Sequence, residues 1–225
     1  MVMREKLAGI LFGGSCFLCR GAARDVLCAE CVAELPWLPA DACPRCALAS
    51  PSGALCGRCL AQAPHYDATV AALGYRFPAD VLVQALKFRG ELALAALLAS
   101  FLSRKLSGEK VDAIIPVPLS AARLRERGYN QAAEIAKHLG RGPLELELCE
   151  RTREGPPQVA LPFGERQRNV RGAFRVRRSL ASASVAVVDD VMTTGATLDE
   201  IARTLKAAGA ARVVNWVVAR TPPHD

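Results

Sequence analysis

"VAVVDDVMTTGATL", residues 185–198, decides the fold. Four apolar residues run into two adjacent aspartates, and these into threonines grouped around one glycine. The apolar reading of Val185–Val188 suits a strand buried on both faces of a parallel sheet. In "ATLDEIARTLKAAG" (196–209), Leu198, Ile201, Ala202 and Leu205 follow helical spacing and Gly209 ends the run. A tight turn between such a strand and helix presents N–H groups and hydroxyls toward one point, with the positive end of the helix dipole behind them. A phosphate fits that cradle, and Gly195 lets backbone come close to it. The carboxylates of Asp189 and Asp190 repel an anion, so they need another task. Accepting hydrogen bonds from sugar hydroxyls and holding Mg²⁺ through water would suit them. A phosphorylated ribose carries both kinds of group.

The pattern around this segment alternates. "DATVAALGYRF" (67–77), "VDAIIPVP" (111–118), "LELEL" (144–148) and "ARVVNWVVA" (211–219) are predicted strands. Residues 79–106 read as one or two amphipathic helices with a break at Gly90, and residues 120–140 as mostly helical with Gly140 as the stop. Residues 150–172 read as irregular, rich in Pro and Arg. Such alternation implies an α/β domain with a mainly parallel sheet and flanking helices, spanning 66–225. Ligands in such sheets sit beyond the carboxyl ends of the strands, where Asp189, Asp190 and the Thr-Gly turn fall.

Eight of the nine cysteines precede residue 60, as "CFLC" (16–19), "CAEC" (28–31), "CPRC" (43–46) and "CGRC" (56–59). Each two-residue spacer lets both thiolates of a knuckle reach one tetrahedral Zn²⁺. Two ions follow. Sequential pairing assigns Cys16, Cys19, Cys28 and Cys31 to one and Cys43, Cys46, Cys56 and Cys59 to the other; spacing alone leaves interleaved pairing open. So short a segment, taken as a module over 1–62, has too little core to fold without metal. Both ligand sets are complete, which points to a structural role, and redox pairs seldom come in fours. His65 reads as an exposed linker residue, with a fifth-ligand role as the alternative.

The formal net charge is +7, and most of the basic residues are arginine. Arg binds phosphate in two-pronged fashion, so a phosphate-rich ligand or nucleic acid suits the balance, as does a merely solvated surface. The longest apolar run, "LALAALLASFL" (92–102), is too short for a bilayer. Cysteines arranged as metal ligands imply a reducing compartment, and the expected location is the cytoplasm. "RQRNVRGAFRVRR" (166–178) holds six arginines beside Phe174. It reads as a mobile loop over the ligand or as a track for single-stranded nucleic acid with Phe174 as stacking platform. Phe174 reads more simply as a strand core residue.

The opening stretch resembles the phosphoribosyl pyrophosphate (PRPP) motif of type I phosphoribosyltransferases. With the cysteine knuckles, "LKFRG" (86–90), "IIPVPLSAARLRERGYNQA" (114–132) and "ERQRNVRGAF" (165–174), the chain is similar to the ComF family: a double zinc ribbon before a type I phosphoribosyltransferase-like domain. "VVDD" also opens receiver domains, but only 35 residues follow Asp190, too few for their later strands.

The resemblance implies a site for Mg²⁺-PRPP made of Val188, Asp189, Asp190, Thr193, Thr194, Gly195, Ala196 and Thr197. Lys87, Pro118, Arg166 and Arg168 join it. Asp189 and Asp190 would hold ribose and metal, and Arg123 and Arg127, four apart on one helix face, would neutralise pyrophosphate. Tyr129 and Asn130 would meet the incoming group. Thr193 stands where purine-salvage enzymes carry an acid that serves the base. This argues against 6-oxopurine acceptors and leaves the nitrogen nucleophile unnamed. Relatives in the family are associated with uptake of transforming DNA. The resemblance therefore also implies a non-enzymatic factor that handles single-stranded DNA with the uptake machinery. A PRPP sensor and a pocket that binds nothing complete the alternatives.

Overall fold

The computed structural model describes residues 14–153 and 170–222. Four strands form one parallel sheet: β3 (Ala68–Gly74), β4 (Ala113–Pro116), β7 (Ser184–Met192) and β8 (Arg212–Arg220), in the order β3-β8-β7-β4. The central position of β7 explains its apolar run, since Val185–Val188 are fully buried. Alternate residues serve two cores, as the period of two requires. Ala186, Val188, Val214, Trp216 and Val218 join one, and Val185, Val187, Val213 and Val217 the other.

Three helices cover the first face: α3 (Ala79–Phe88), α4 (Ala93–Ser103) and α6 (Gln131–Ala136). The second face is covered by α7 (Ala196–Ala207), with Leu198, Ile201, Ala202 and Leu205 buried as their spacing predicts. Gly90, at φ +71°, makes the expected break between α3 and α4. A second break was not foreseen. Gly128, at φ +82°, ends α5 (Ala121–Arg127) in the left-handed conformation that glycine adopts without strain. The predicted 120–140 helix is therefore two.

"LELEL" does not form the predicted strand. Leu144 makes a single bridge to Ile114, Leu146 is 52% exposed, and only Leu148 is buried. Alternation needs a core under one face, and Leu146 has none. The strand lies just beyond, as β5 (Cys149–Arg151), paired antiparallel with β6 (Phe174–Val176) across the span read as irregular. Phe174 is buried there as a core residue. Burial pushes the Cys149 thiol up to about 12, and it lies outside both cysteine clusters.

In the cysteine-rich segment, the first knuckles pair through β1 (Gly14–Ser15) and β2 (Ala22–Ala23) and continue into α1 (Ala29–Ala33). The second pair ends in α2 (Gly57–Ala61). This segment packs on the edge of the sheet. Leu38 N–H donates to Ala72 O at 3.0 Å, Gly74 N–H donates to Pro36 O at 2.7 Å, and Trp37 stacks edge-on against Phe101 at 5.2 Å. The Pro-rich stretch "LPWLPADA" (35–42) thus covers the exposed edge of β3, which would otherwise offer unpaired backbone groups.

Candidate functional site

β7 does not stop at the aspartates; it runs through them to Met192. The chain then turns over Thr193–Gly195 into α7, with Gly195 at φ +86° as its N-cap. A Cβ at this position would lie 2.7 Å from Met192 Cε and 3.2 Å from the Tyr66 hydroxyl, so glycine is required by both backbone and space. Thr194 Oγ1 accepts the Ala196 N–H at 3.2 Å.

Beyond the strand ends lies a cavity of about 840 Å³. Asp189, Asp190 and Thr193–Thr197 line it together with Lys87, Pro118, Arg123 and Arg127. One predicted residue stands elsewhere. Val188 is buried in the sheet core, where its carbonyl takes the Val117 N–H at 2.9 Å, and its side chain does not reach the cavity. Arg166 and Arg168 lie outside the described residues.

The two acids differ in state. Asp190 is 2% exposed, and Lys87 Nζ lies 2.8 Å from its Oδ2. Gln131 Nε2 donates to its Oδ1 at 3.4 Å. Burial opposes the charge on Asp190, but the Lys87 ammonium outweighs it and holds the carboxyl below its usual range. Asp189, partly accessible, goes the other way. Burial and then the Asp190 charge push it well above the carboxylate range, and its Oδ1 accepts the Asp190 N–H at 2.9 Å.

A chain of contacts supports this pair. Arg127 Nη1 donates to Gln131 Oε1, and its guanidinium sits 5.3 Å from the centre of the Phe88 ring. Phe88 follows Lys87 on α3, so the path returns to the acids. Arg151, which the sequence reading missed, also lines the cavity. Burial and the neighbouring Arg123 draw its guanidinium below its ordinary range. Those two cations repel across the cavity, an arrangement that an anion relieves.

Tyr129 and Asn130 have structural tasks that their expected role overlooked. Asn130 caps α6, its Oδ1 accepting the N–H groups of Ala132 at 3.0 Å and Ala133 at 3.3 Å, while its Nδ2 donates to Val117 O. Tyr129 lines the cavity but donates its hydroxyl to Leu86 O.

The thiols fall into two clusters, Cys16, Cys19, Cys28, Cys31 and Cys43, Cys46, Cys56, Cys59, each with its sulfurs within 4.8 Å of one another. This is the sequential pairing. A tetrahedron with arms of about 2.3 Å has edges of about 3.8 Å. Cys19 Sγ and Cys28 Sγ are 3.7 Å apart, and Cys46 Sγ and Cys56 Sγ 3.5 Å, so both clusters suit Zn²⁺. Burial and neighbouring thiols push Cys31 up to about 12, a conflict that a bound cation removes. His65 is outside both clusters; its N–H donates to Asp199 Oδ1 at 2.6 Å. No helix among the described residues is long and apolar enough to cross a membrane.

Residues 87–224 match the phosphoribosyl transferase domain family, and residues 7–60 match the double zinc ribbon domain. The class is thereby defined: a phosphoribosyltransferase-type domain that carries a double zinc ribbon. The chain is 34% identical over 222 residues to DNA utilization protein YhgH of Escherichia coli O157:H7, covering 92% of this chain and 97% of that one. It is 32% identical over 226 residues to competence protein F of Haemophilus influenzae, covering 93% and 98%. The chain belongs to the ComF family. Among solved structures, purine phosphoribosyltransferase from Pyrococcus horikoshii Ot3 is similar at a TM-score of 0.37 and 21% identity, over 56% of this chain and 73% of that one.

Proposed function

We propose that the cavity binds PRPP, or another phosphorylated ribose, with Mg²⁺. One observation carries the reading: the twin acids, the Thr193–Thr197 turn and the facing cations Arg123 and Arg151 line the same cavity. The turn takes the 5-phosphate at the N-terminus of α7. Arg123, Arg127 and Arg151 neutralise pyrophosphate. Asp189 accepts hydrogen bonds from the ribose hydroxyls. Lys87 and Gln131 engage both oxygens of Asp190, so Asp189 is the carboxylate left to face a cation. That donor set fits a Mg²⁺ held through water and chiefly by the ligand's own phosphates, where it would offset their charge.

Transfer of the phosphoribosyl group to a nitrogen nucleophile would follow from the same geometry. Positioning and stabilisation of the departing pyrophosphate would supply the catalysis. Calorimetry of the zinc-loaded protein with Mg²⁺-PRPP tests the site. Binding should be measurable in the wild type and at least tenfold weaker in Asp189→Asn; no heat in either sinks the reading. Pyrophosphate release with candidate amines then separates an enzyme from a sensor that binds without turnover.

A second reading rests on the printed names of the relatives, which concern DNA utilization and competence. We infer a part in handling single-stranded DNA in the cytoplasm. The net charge of +7 supports a phosphate-rich partner. Single-strand binding that falls steeply with salt, with no pyrophosphate release, would favour this reading over transfer.

A further inference from the structure

The second zinc ribbon reaches the Thr-Gly turn directly. Arg58 stands on α2 between the thiols of Cys56 and Cys59, and its Nη2 donates to Thr194 O at 2.7 Å. Arg220, the last residue of β8, is 3% exposed. Its Nε donates to Cys46 O at 2.9 Å, on a residue of the same cluster. Its Nη1 donates to Met192 O at 2.9 Å, to Thr193 O, and to Thr221 O at 3.0 Å. Three consecutive carbonyls, 192 to 194, are therefore held by two arginines tied to one cysteine cluster. Among the described residues, no hydrogen bond joins 14–34 of the first ribbon to 192–195.

The consequence follows from the peptide plane. A carbonyl and the N–H that follows it point in opposite directions across a trans bond. Carbonyls drawn toward Arg220 and Arg58 turn the N–H groups of Thr193, Thr194 and Gly195 away from those arginines, and the same three residues line the cavity. Met192 O also accepts the Thr221 N–H at 3.1 Å, so the arginines add to the hold that β8 already has on the start of the turn. The buried guanidinium of Arg220 demands acceptors, and together with the exposed Arg58 hydrogen bond it fixes these planes before any ligand arrives.

We propose that the second zinc ribbon is a positioning element of the sugar-phosphate site. Arg58 and Arg220 convey the folded, metal-bound state of the Cys43–Cys59 cluster to the backbone donors at 193–195. Phosphate affinity then depends on the second zinc far more than on the first. The inference rests on the reading of the turn as a phosphate cradle, and regulates that same site. Neither arginine touches ligand; both act through the backbone.

The test compares wild type, Arg58→Ala, Arg58→Lys, Cys56→Ser and Cys28→Ser as full-length, zinc-supplied proteins. Zinc content is measured by mass spectrometry, amide hydrogen exchange is followed over 193–197, and calorimetry uses ribose 5-phosphate and pyrophosphate as separate probes. Arg58→Ala is an exposed change that keeps both zincs. It should speed exchange over 193–197 and weaken ribose 5-phosphate about tenfold while leaving pyrophosphate binding unchanged. Arg58→Lys should restore part of the loss. Cys56→Ser should lose one zinc and show the same pattern more strongly than Cys28→Ser. Unchanged exchange and unchanged ribose 5-phosphate affinity in both Arg58→Ala and Cys56→Ser overturn the proposal. If wild type binds neither probe, the cradle reading fails, and the phosphate part of this inference with it. That result is told apart because exchange at 193–197 still responds to Arg58→Ala.

Discussion

Lys87 Nζ and Asp190 Oδ2 lie 2.8 Å apart at the C-terminal end of β7, joining α3 to the central strand beneath the cavity. Asp190 is 2% exposed, so its charge has almost no water to stabilise it. The lysine is what keeps it ionised, and the acid in turn raises the affinity of Lys87 for its proton.

Removing the lysine should therefore be costly. Lys87→Met leaves a buried carboxylate without a counter-ion, which costs about 3–5 kcal/mol. The double variant Lys87→Met with Asp190→Asn should recover much of that loss. Chemical unfolding of the four proteins forms a double-mutant cycle. A single-variant loss below about 1 kcal/mol with no coupling would show that the pair contributes nothing.

Asp189 supplies the pH dependence. It holds its proton above the usual carboxylate range, from burial first and the Asp190 charge second. A ligand that needs the carboxylate must displace that proton. Affinity for Mg²⁺-PRPP should rise with pH up to the raised value and level off above it. Below it, the apparent heat should vary with the ionisation enthalpy of the buffer, reporting proton release, and Asp189→Asn should abolish that variation. Stability runs opposite. Between the unfolded value near about 3.9 and the raised folded one, the native state binds more protons, so this group's contribution falls as pH rises.

Much of this was legible in the chain because it is local. The apolar run 185–188, the helical spacing of 196–209 and the Cys-x-x-Cys knuckles each encode their structure over a few residues. What could not be read depends on distant partners. Arg220 meets Cys46 across 174 positions, and Arg58 meets Thr194 across 136. The one signal was an arginine closing the apolar strand "VVNWVVAR", since a charge there must find buried acceptors. "LELEL" shows the converse: its alternation is correct for a strand, yet nothing packs under Leu146. Asn130, expected beside the incoming group, also caps a short helix, a task set by the break at Gly128.

The cysteine clusters predict a fixed metal content. Purified protein should carry two Zn²⁺ per chain, and Cys31→Ala should carry one. Chelation should cost more than the ribbons themselves, because Cys16, Leu27 and Leu35 belong to the core under α3 and α4. The expected result is a lower unfolding midpoint for the whole chain, read by calorimetry. Retention of two zincs in Cys31→Ala would contradict the ligand assignment.

Gly195 offers the sharpest separation of fold from site. Its φ of +86° costs an L-residue about 1–2 kcal/mol. A new Cβ would also meet Met192 Cε at 2.7 Å and the Tyr66 hydroxyl at 3.2 Å. Methionine can swing aside, because its side chain is unbranched and mobile. Tyr66 cannot do so cheaply, since it is 2% exposed and packed in the second core. The backbone will shift instead, and that backbone carries the N–H groups proposed to take the phosphate. Gly195→Ala should therefore fold with a loss of at least about 1–2 kcal/mol, measured by urea denaturation. Its affinity for ribose 5-phosphate should drop well beyond what that modest loss explains. Wild-type affinity in a stably folded Gly195→Ala protein would mean that no anion rests on this turn.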